Sequence, residues 1–412
     1  MSTNSVTISH CRLCNSSDLE NVLDLGNQPL ANSLRQIESL PNELFPLIIC
    51  RCGKCGTIQL TETVSPDILF DHYVWVTGTS EGARIYSHIF KDSVLSRISS
   101  DPKFIVEIAS NDGTFLKPFQ RTGIKVLGVD PAKNIAQMAV DEGIPTLPLF
   151  FGLQAAQKII HDHGKADIVF ARNVIPHVAN AKDVVAGIAE LLQLNGTGII
   201  EFHRADIILE ELHYDSIYHE HLFYHSIHSM TILLNQFGLI PYDLTESPIS
   251  GGSYALYFSH VRKPVSEAFT NAVLRETHLG TGKLSSWQDF ATACNAHKTK
   301  LLHMIQAYKN QGNKIIGYGA SARSSTMLNY CGIDGQYLEC VADRAELKHG
   351  KLTPGTDLMI VSPSDAFLAK PDIILLLAWN FKDEILNQIQ NEFGWSGDVI
   401  IPLPNDPEVV RV

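Results

Sequence analysis

The stretch VEIASNDGTFL, residues 106–116, decides the fold of this chain. An apolar run is followed by a turn of small polar residues and then by the start of a helix. In open α/β sheets this order occurs where the carboxyl end of a strand faces a nucleotide-like ligand. The stretch is not a dinucleotide fingerprint, because Gly113 alone remains of the usual glycines.

A second feature of a nucleotide site follows about seventeen residues after Gly113. The segment KVLGVD ends in Asp130, at the tip of the next predicted strand, where a carboxylate can accept both hydroxyls of a ribose. The two features together suit S-adenosylmethionine as well as NAD. The alternative is that Asp130 only caps the helix that begins at PAKNIA.

Strands and helices alternate outward from this stretch. The segments FIVEIAS, KVLGVD, ADIVFARN and GTGIIEF predict buried strands, with helices such as PAKNIAQMAVDEG between them. This alternation predicts a parallel, doubly wound sheet. A further strand, ISGGSYALYFSH, and a polar helical connector at about 264–311 precede a second α/β unit, formed by NKIIGYG, YLECVADR, IVSPSDAFL and PDIILLLAWN.

Composition excludes several classes of protein. The 412 residues include 45% hydrophobic and 18% charged residues, which is ordinary for a multidomain globular chain. With 32 Lys and Arg against 44 Asp and Glu, the net charge of −12 offers no basic field for nucleic acid. The first residues, MSTNSVTISHC, lack the pattern of a signal peptide, and no apolar run is long enough to span a membrane. We expect a cytoplasmic protein, monomeric or a small homo-oligomer.

The cysteines predict a structural zinc site near the N-terminus. Four of the eight form two C-x-x-C pairs, and two such pairs converge on one tetrahedral ion. The predicted ligands are Cys11, Cys14, Cys52 and Cys55. The 37 residues between the pairs exceed the short ribbon spacing, so Cys50 could substitute as a ligand. A disulfide or unrelated thiols are the alternative, disfavoured by the expected compartment.

The domain limits follow from these patterns. The fold class is α/β, with three predicted domains: a zinc-binding module at 1–65, a nucleotide-binding α/β domain at 66–255, and a second Rossmann-like α/β domain at 256–412. In the last of these, KIIGYGASARSS places Gly317 and Gly319 at a strand-to-helix turn. Backbone N–H groups and the positive helix end can cradle phosphate there, with Arg323 as a charged partner.

The segment SIYHEHLFYHS, residues 216–226, contains three of the 17 histidines. It could be a metal nest, an acid/base centre or a polar surface. A histidine–glutamate metal site is disfavoured, because no H-E-x-x-H spacing is present and cysteine accounts for the zinc. Adjacent residues 220 and 221 cannot face the same way on a regular strand or helix, so the YHEH segment is predicted to be a loop. His225 and His228 are predicted to lie on the first turns of the helix that follows and to have a structural role.

The chain resembles the nucleotide-sugar C-methyltransferases of deoxysugar pathways. The resemblance rests on EIASNDG followed by VDP, and it extends through CRLC, CGKC, DHYVWVTGTS, ARNVIPHV, YHEH, ISGGS, GYGASARSSTMLNYCGI, VADR, TPGT and LLLAWNFKDEI. Members of that family have a zinc-binding module, an S-adenosylmethionine domain of the class I type and a C-terminal Rossmann-like domain. The chain departs from the family at Ala109, where glycine is usual, and at His219, where many members have Asp.

The resemblance also implies site residues. It implies His221 as the base that removes a sugar proton, with Glu220 and Tyr218 lining the same site. His177 is implied as a group that polarises the ketone, and Tyr73 as a tyrosine that reaches the pocket. The implied cofactor residues are Glu107, Ala109, Ser110, Asn111, Asp130 and Asn173. The implied nucleotide-sugar residues are Gly319, Ser321, Arg323 and Asn380.

The predicted reaction is methylation, dependent on S-adenosylmethionine, of a nucleotide-diphosphate 4-keto-6-deoxy sugar in branched deoxysugar biosynthesis. Such a sugar can form an enolate, with C3 favoured over C5, and dTDP is favoured over GDP as the nucleotide. The rival is an NAD-dependent nucleotide-sugar oxidoreductase or epimerase, which lacks here both the Tyr-x-x-x-Lys pair and a full G-x-G-x-x-G. A zinc-ribbon interaction protein would leave YHEH without a purpose.

Overall fold

The N-terminal part of the chain forms two small antiparallel sheets. The computed structural model describes residues 4–65, 68–69, 76–98 and 101–412, and for residue 250 the backbone only. Strand β1 (Ser5–Thr7) pairs with β5 (Glu62–Val64). The larger sheet has the order β11-β4-β3-β2. Its strands are β2 (Leu19–Pro29), β3 (Leu44–Cys52), β4 (Ile58–Leu60) and β11 (Phe223–Tyr224).

The central sheet has seven strands in the order β12-β13-β10-β9-β6-β7-β8. Their bounds are β6 Phe104–Ile108, β7 Lys125–Val129, β8 Thr146–Leu147, β9 Ala166–Arg172, β10 Leu192–His203, β12 Ile240–Ser247 and β13 Ser253–Ser259. The helices around this sheet are α1 Glu81–Leu95, α2 Lys117–Gln120, α3 Lys133–Asp141, α4 Leu153–His163, α5 Ala181–Leu191, α6 Ala205–Glu210 and α7 Ile227–Asn235.

The predicted parallel sheet is confirmed for β10, β9, β6, β7 and β8, and two further strands extend it at one edge. There β13 runs antiparallel to both β10 and β12. The reason is the short connection from Ser247 to Ser253, which can join antiparallel neighbours but is too short for a parallel crossover.

The described helices include none that is long and apolar enough to cross a membrane.

The C-terminal part builds a second, six-stranded sheet in the order β16-β15-β14-β17-β18-β19. Its strands are β14 Ile315–Tyr318, β15 Val341–Ala342, β16 Ile360–Val361, β17 Ile373–Leu376, β18 Asp398–Ile401 and the antiparallel β19 Glu408–Arg411. The helices are α8 Glu267–Leu279, α9 Leu284–Asn310, α10 Ala322–Cys331, α11 Pro363–Leu368 and α12 Lys382–Asn391. Both α8 and α9 lie within the predicted connector.

Short 3₁₀ turns mark many of the loops that matter for the site. They are Thr77–Thr79, Ile175–His177, Tyr214–Ser216, Ile249–Gly251, Glu346–Lys348 and Trp379–Phe381. The turn at Tyr214–Ser216 packs against α10, and the hydroxyl of Thr326 on that helix donates to the carbonyl of Ile217. The loop that follows therefore lies between the central and C-terminal sheets.

The N-terminal sheet is tied to the rest of the chain by a strand, an ion pair and a hydrogen bond. Strand β11, which comes directly after the YHEH loop, completes this sheet by pairing with β4. Arg35 forms an ion pair with Asp357 at 2.7 Å, and Arg51 donates to the carbonyl of Gly282. The three predicted domains thus meet around residues 214–226, and their limits at 65 and 255 stay predictions.

Candidate functional site

The four predicted cysteine ligands come together in one cluster. The Sγ atoms of Cys11, Cys14, Cys52 and Cys55 all lie within 4.8 Å of one another. The closest pairs are Cys11 with Cys55 at 3.6 Å and Cys14 with Cys52 at 3.5 Å. Zn–S bonds of about 2.3 Å in a tetrahedron place sulfur atoms about 3.8 Å apart, so the cluster fits zinc. Cys50 does not belong to it, and the idea that Cys50 replaces a ligand is not supported.

The turn after β6 has an unusual backbone that only part of its sequence favours. Ala109, Asn111 and Gly113 have φ angles of 51°, 50° and 75°. Asparagine and glycine tolerate this left-handed region, whereas alanine pays for its Cβ. The turn therefore explains why glycine suits position 109. A Cβ on Gly113 would also meet the Ile144 side chain at 2.9 Å.

Asp130 is held at the tip of β7 by two backbone amides. Its Oδ2 accepts from the N–H of Asn111 at 2.9 Å, and its Oδ1 accepts from the N–H of Ala132 at 2.9 Å. Burial raises the pKa of the carboxyl group, and these two hydrogen bonds oppose that shift. Ala132 precedes α3, so Asp130 connects the turn at residues 109–113, called the cofactor turn below, to the start of that helix. A carboxylate oxygen has further lone pairs for a ribose hydroxyl.

Glu107 presents the strongest sign that this edge of the sheet awaits a ligand. The residue is only 3% exposed, and its Oε2 atom is buried without a hydrogen-bond partner. Burial raises the pKa of Glu107 well above its usual value. The Oγ atom of Ser110 is also buried and unpartnered. Such orphan polar groups are costly unless a ligand satisfies them, which fits the polar amino-acid end of S-adenosylmethionine.

Sequence reasoning missed a buried ion pair beside these residues. Arg172, the last residue of β9, contacts both carboxylate oxygens of Glu201 at 2.9 and 3.1 Å. Its guanidinium also lies 3.2 Å from the centre of the Phe115 ring. The carbonyl of Glu201 accepts from the N–H of Asn173, whose φ is 51°. The pair thus shapes the edge where Asn173 stands, and only the charges in an apolar strand could have signalled it.

A loop from the N-terminal side covers the cofactor turn. The N–H of Thr77 donates to Oδ1 of Asn111 at 2.8 Å, and the N–H of Gly78 donates to Oδ2 of Asp112 at 3.0 Å. A Cβ on Gly78 would approach the same Asp112 oxygen to 2.3 Å. Tyr73, which belongs to the same predicted loop, lies outside the described residues, and its role stays a prediction.

His221 is held in one tautomer by its two nitrogen contacts. The predicted YHEH loop is confirmed, since Tyr218–His221 lies between the turn at Tyr214–Ser216 and strand β11. Nδ1 lies 2.8 Å from the carbonyl oxygen of Ser216, which can only accept, so Nδ1 carries the proton. Nε2 then accepts from the Tyr218 hydroxyl at 2.8 Å. Burial lowers the pKa of His221 well below its usual value, so the ring is neutral at physiological pH.

His177 packs against His221 in the YHEH loop. It lies four residues beyond Asn173, and its ring centre is 4.8 Å from that of His221. The carbonyl of Pro176 also accepts from the N–H of Leu222. Burial lowers the pKa of His177 to about 4, and its Nδ1 is buried without a partner. Its other nitrogen, Nε2, donates to the backbone carbonyl of Glu220 and so carries the single proton of the neutral ring, which leaves Nδ1 able to accept a hydrogen bond from a bound sugar.

Two residues between Tyr218 and His221 face the N-terminal module. His219 is buried, places Nε2 3.2 Å from the carbonyl oxygen of Pro46, and packs edge-on against Phe45. Burial lowers its pKa. Oε1 of Glu220 accepts from Nδ2 of Asn32 at 2.7 Å, and burial raises the pKa of Glu220. Sequence reasoning gave Asn32 no role, because it is 188 residues from Glu220.

The remaining histidines have structural surroundings. His225 is buried, stacks on Phe223 and lies 3.1 Å from the Ser229 hydroxyl, just ahead of α7. His228 is exposed on the first turn of that helix. His213 is buried, with Nε2 3.1 Å from a carboxylate oxygen of Glu211. The ring centre of His213 also lies 4.8 Å from that of Trp379.

The C-terminal sheet contributes a helix start to the same region. Gly319 has a φ of 100°, and a Cβ there would meet the Ala378 Cβ at 2.3 Å. Ser321 is the N-cap of α10, with its side chain accepting from the N–H of Ser324. These contacts build the tight strand-to-helix turn that the sequence predicted.

Arg323, two residues after Ser321, lies near the residues that precede the YHEH loop. Its Nη1 lies 3.7 Å from Oδ1 of Asp215, a fully buried residue six positions before His221. Oδ2 of Asp215 accepts from the indole N–H of Trp379 at 2.7 Å. Asn380 lies half-buried in the turn after β17. Neither Asp215 nor its contact with Trp379 had a signal in the sequence.

Three family profiles match consecutive parts of the chain. The one described as a zinc binding domain matches residues 11–70, the methyltransferase domain matches 85–242, and the C-methyltransferase C-terminal domain matches 248–404. C-methyltransferase NovU of Streptomyces niveus is 31% identical over 410 residues, covering 98% of this chain and 97% of its own length. Ubiquinone biosynthesis O-methyltransferase of Rhodopseudomonas palustris is 30% identical over 97 residues, 23% of this chain and 38% of its own.

Two solved methyltransferase structures have a low similarity to part of the chain. Magnesium protoporphyrin IX methyltransferase from Synechocystis PCC 6803 with bound SAM is 14% identical, with a TM-score of 0.34, over 44% of this chain and 80% of its own. CcbJ methyltransferase from Streptomyces caelestis is 12% identical, with a TM-score of 0.35, over 47% of this chain and 96% of its own.

Proposed function

Because the chain belongs to the C-methyltransferase family, and is thus an S-adenosylmethionine-dependent enzyme, we propose that it methylates a carbon atom of a nucleotide-diphosphate 4-keto-6-deoxy sugar. The resemblance found in the sequence is confirmed, as are the enzyme class and the zinc-binding module. The family assignment leaves no support for the oxidoreductase alternative. The proposed pathway is the biosynthesis of a branched deoxysugar.

The chemistry of such a sugar explains the residues that are needed. The 4-keto group acidifies the protons on C3 and C5. Removing one leaves its electron pair shared between the carbon and the ketone oxygen, and this carbon then forms the new C–C bond. Bound S-adenosylmethionine supplies the electrophilic methyl group and leaves as S-adenosylhomocysteine. The enzyme must therefore supply a neutral base, a group for the developing oxyanion and a fixed orientation.

His221 is the proposed base. It is neutral, and its Nδ1–H bond to the Ser216 carbonyl stabilises the imidazolium that forms when Nε2 takes the proton. The Tyr218 hydroxyl donates to Nε2 of His221. When the sugar binds, its acidic C–H would replace this hydroxyl at Nε2, or the hydroxyl would turn and donate to the ketone oxygen. His177, against the same ring, is the proposed group that polarises the ketone, a role that requires the tautomer with its proton on Nδ1.

The observation that carries this proposal is the position of His177 and His221. The two rings are in contact, and His177 follows by four residues Asn173, which comes directly after β9; β9 pairs in parallel with β6, so it ends at the same sheet edge as the strand that carries Glu107. A base beside the expected methyl-donor site is what C-methylation requires. The proposed cofactor residues are thus Glu107, Ala109, Ser110, Asn111, Asp130 and Asn173.

The diphosphate of the substrate is proposed to bind at the start of α10. Helix N-termini present free N–H groups to anions, and Arg323 adds a charged partner that reaches the base loop through Asp215. We propose Gly319, Ser321, Arg323 and Asn380 as the nucleotide-sugar residues, with dTDP favoured over GDP and C3 over C5. Zinc would be held by the four cysteines alone, and a site with four protein ligands is structural.

A direct assay tests the proposal. The full-length protein is incubated with S-adenosylmethionine and a panel of dTDP- and GDP-linked 4-keto-6-deoxyhexoses, and products are followed by mass spectrometry and NMR. We expect a mass gain of one methylene with a dTDP sugar and a new methyl signal on C3. A lack of methylation with every sugar of the panel would reject the substrate class, and a signal on C5 would reject the favoured position.

A further inference from the structure

The N-terminal module contributes a side chain to the proposed sugar site. Asn32 lies in the turn after β2, and its Nδ2 is 2.7 Å from Oε1 of Glu220. A hydrogen bond from an amide to a carboxylate at this distance is of the strong, charge-assisted kind. Glu220 directly precedes the proposed base His221, so the contact reaches the centre of the loop.

The backbone of Asn32 is fixed. The N–H of Leu34 donates to the Asn32 carbonyl, and the N–H of Ser33 donates to the carbonyl of Leu30. Leu30 and Ala31, immediately before Asn32, are buried at 7% and 5% exposure. The turn therefore holds the backbone from which the exposed Asn32 side chain reaches Glu220.

The base loop is attached to the same module at three successive points. His219 contacts the carbonyl of Pro46, Glu220 contacts Asn32, and the strand that follows, β11, pairs with β4. The N–H of Leu60 in β4 also donates to the carbonyl of Leu222. Such repeated attachment means that the loop's geometry depends on the N-terminal module and not on the central sheet alone.

We infer that Asn32 is a positioning residue that orients the Glu220 carboxylate toward a hydroxyl group of the bound sugar. Asn32 holds Oε1, and a carboxylate has enough lone pairs for Oε2 to accept from the substrate. Glu220 then fixes the sugar ring so that the acidified carbon faces His221. This inference rests on the proposed function and adds to it a residue of the N-terminal module, which the sequence assigned only to zinc.

A double-mutant cycle tests the inference in the full-length enzyme. Asn32→Ala is expected to raise the KM for the nucleotide sugar and lower kcat/KM by about tenfold, while the KM for S-adenosylmethionine stays unchanged. Asn32→Gln, which keeps the amide, should recover part of the loss. In a Glu220→Ala background Asn32→Ala should have little further effect, because the two residues act through one contact.

Asn27→Ala is the matched control, since Asn27 is an exposed asparagine of β2 in the same module. It should behave as the wild type, and melting temperatures of all variants identify losses due to unfolding. Equal losses from Asn32→Ala with and without Glu220, or a rise in the KM for S-adenosylmethionine, would overturn the inference while leaving the proposed function intact. A wild-type enzyme that neither binds nor methylates any sugar of the panel would overturn both.

Discussion

The Tyr218 hydroxyl donates a hydrogen bond to Nε2 of His221 at 2.8 Å, while the other nitrogen of that ring is held by the Ser216 carbonyl. The two contacts fix both the tautomer and the orientation of the imidazole. Nε2, the nitrogen without a proton, therefore faces the Tyr218 hydroxyl. A histidine prepared in this way needs no further tautomer change before it accepts a proton.

Replacing His221 tests its role as base. His221→Asn should lower kcat by about a thousandfold, because loss of a general base typically costs between a hundredfold and ten-thousandfold. Binding of S-adenosylmethionine, measured by calorimetry, should stay within about twofold of wild type. Tyr218→Phe keeps the ring and should cost less, on the order of tenfold to a hundredfold in kcat. Near-normal turnover by His221→Asn would reject His221 as the base.

Ala109→Gly tests the strain in the cofactor turn. Because Ala109 has a φ of 51°, glycine should raise the free energy of unfolding by about 1 kcal/mol. The matched control is Ala171→Gly in β9, where glycine should lower stability by about 1 kcal/mol. Denaturant melts of the three proteins give the comparison. A loss of stability in Ala109→Gly would show that the turn is not strained in the enzyme.

Zinc content separates the cluster cysteines from their neighbour. Cys14→Ser should lose bound zinc, measured by mass spectrometry of the metal, and should lower the melting temperature because a structural zinc site contributes folding free energy. Cys50→Ser should retain one zinc ion per chain, since Cys50 lies outside the cluster. Full zinc in Cys14→Ser, or loss of zinc in Cys50→Ser, would contradict the ligand set.

Arg323 is expected to act on substrate binding. Arg323→Ala should raise the KM for the nucleotide sugar by about tenfold to a hundredfold, because a charge-assisted contact to a diphosphate is lost. The KM of Arg323→Lys for the nucleotide sugar should lie between that of Arg323→Ala and that of the wild type. Arg411→Ala, which removes an arginine that is 77% exposed in β19, should leave KM unchanged. An unchanged KM in Arg323→Ala would place the diphosphate elsewhere.

His225 should contribute to a loss of stability in acid, in addition to His177 and His221, whose pKa values burial also lowers. Burial lowers the pKa of His225 to about 3, whereas an unfolded histidine titrates near about 6.5. Below about pH 6.5 the unfolded chain binds a proton that the folded chain refuses, so stability falls as pH drops toward about 3, by up to about 1.4 kcal/mol per pH unit. Urea melts at several pH values measure this slope. His225→Asn should reduce it, and an unchanged slope would assign the pH dependence to other groups.

Local patterns predicted much of the fold. The strands β6, β7, β9 and β10 appear where apolar runs indicated them, because a buried strand of a parallel sheet needs a continuous apolar segment. The two C-x-x-C pairs predicted the cysteine cluster, since a two-residue gap places both sulfur atoms of a pair on one ion. The turn that contains Asn111 and Gly113 was visible as a run of small residues between a strand and a helix, whereas its left-handed backbone came from the structure.

Long-range packing decided the rest. The contact of Asn32 with Glu220 joins residues 188 positions apart, and that of Trp379 with Asp215 joins residues 164 apart. The antiparallel strand β13 and the pairing of β11 with the N-terminal sheet likewise depend on which segments meet in space. No periodicity or short motif encodes such pairs.

The sequence by itself therefore determined the parallel strands of the central sheet, the cysteine cluster and the position of the turn after β6, because the spacing of neighbouring residues is enough to specify each of them. Only the tertiary structure decided how the YHEH segment is divided: His221 toward His177 and the cofactor edge, His219 and Glu220 toward the N-terminal module. The physical reason is that a loop has no intrinsic faces. The burial of each side chain, and the partner that satisfies its polar atoms, exist only once the separate units have packed around it.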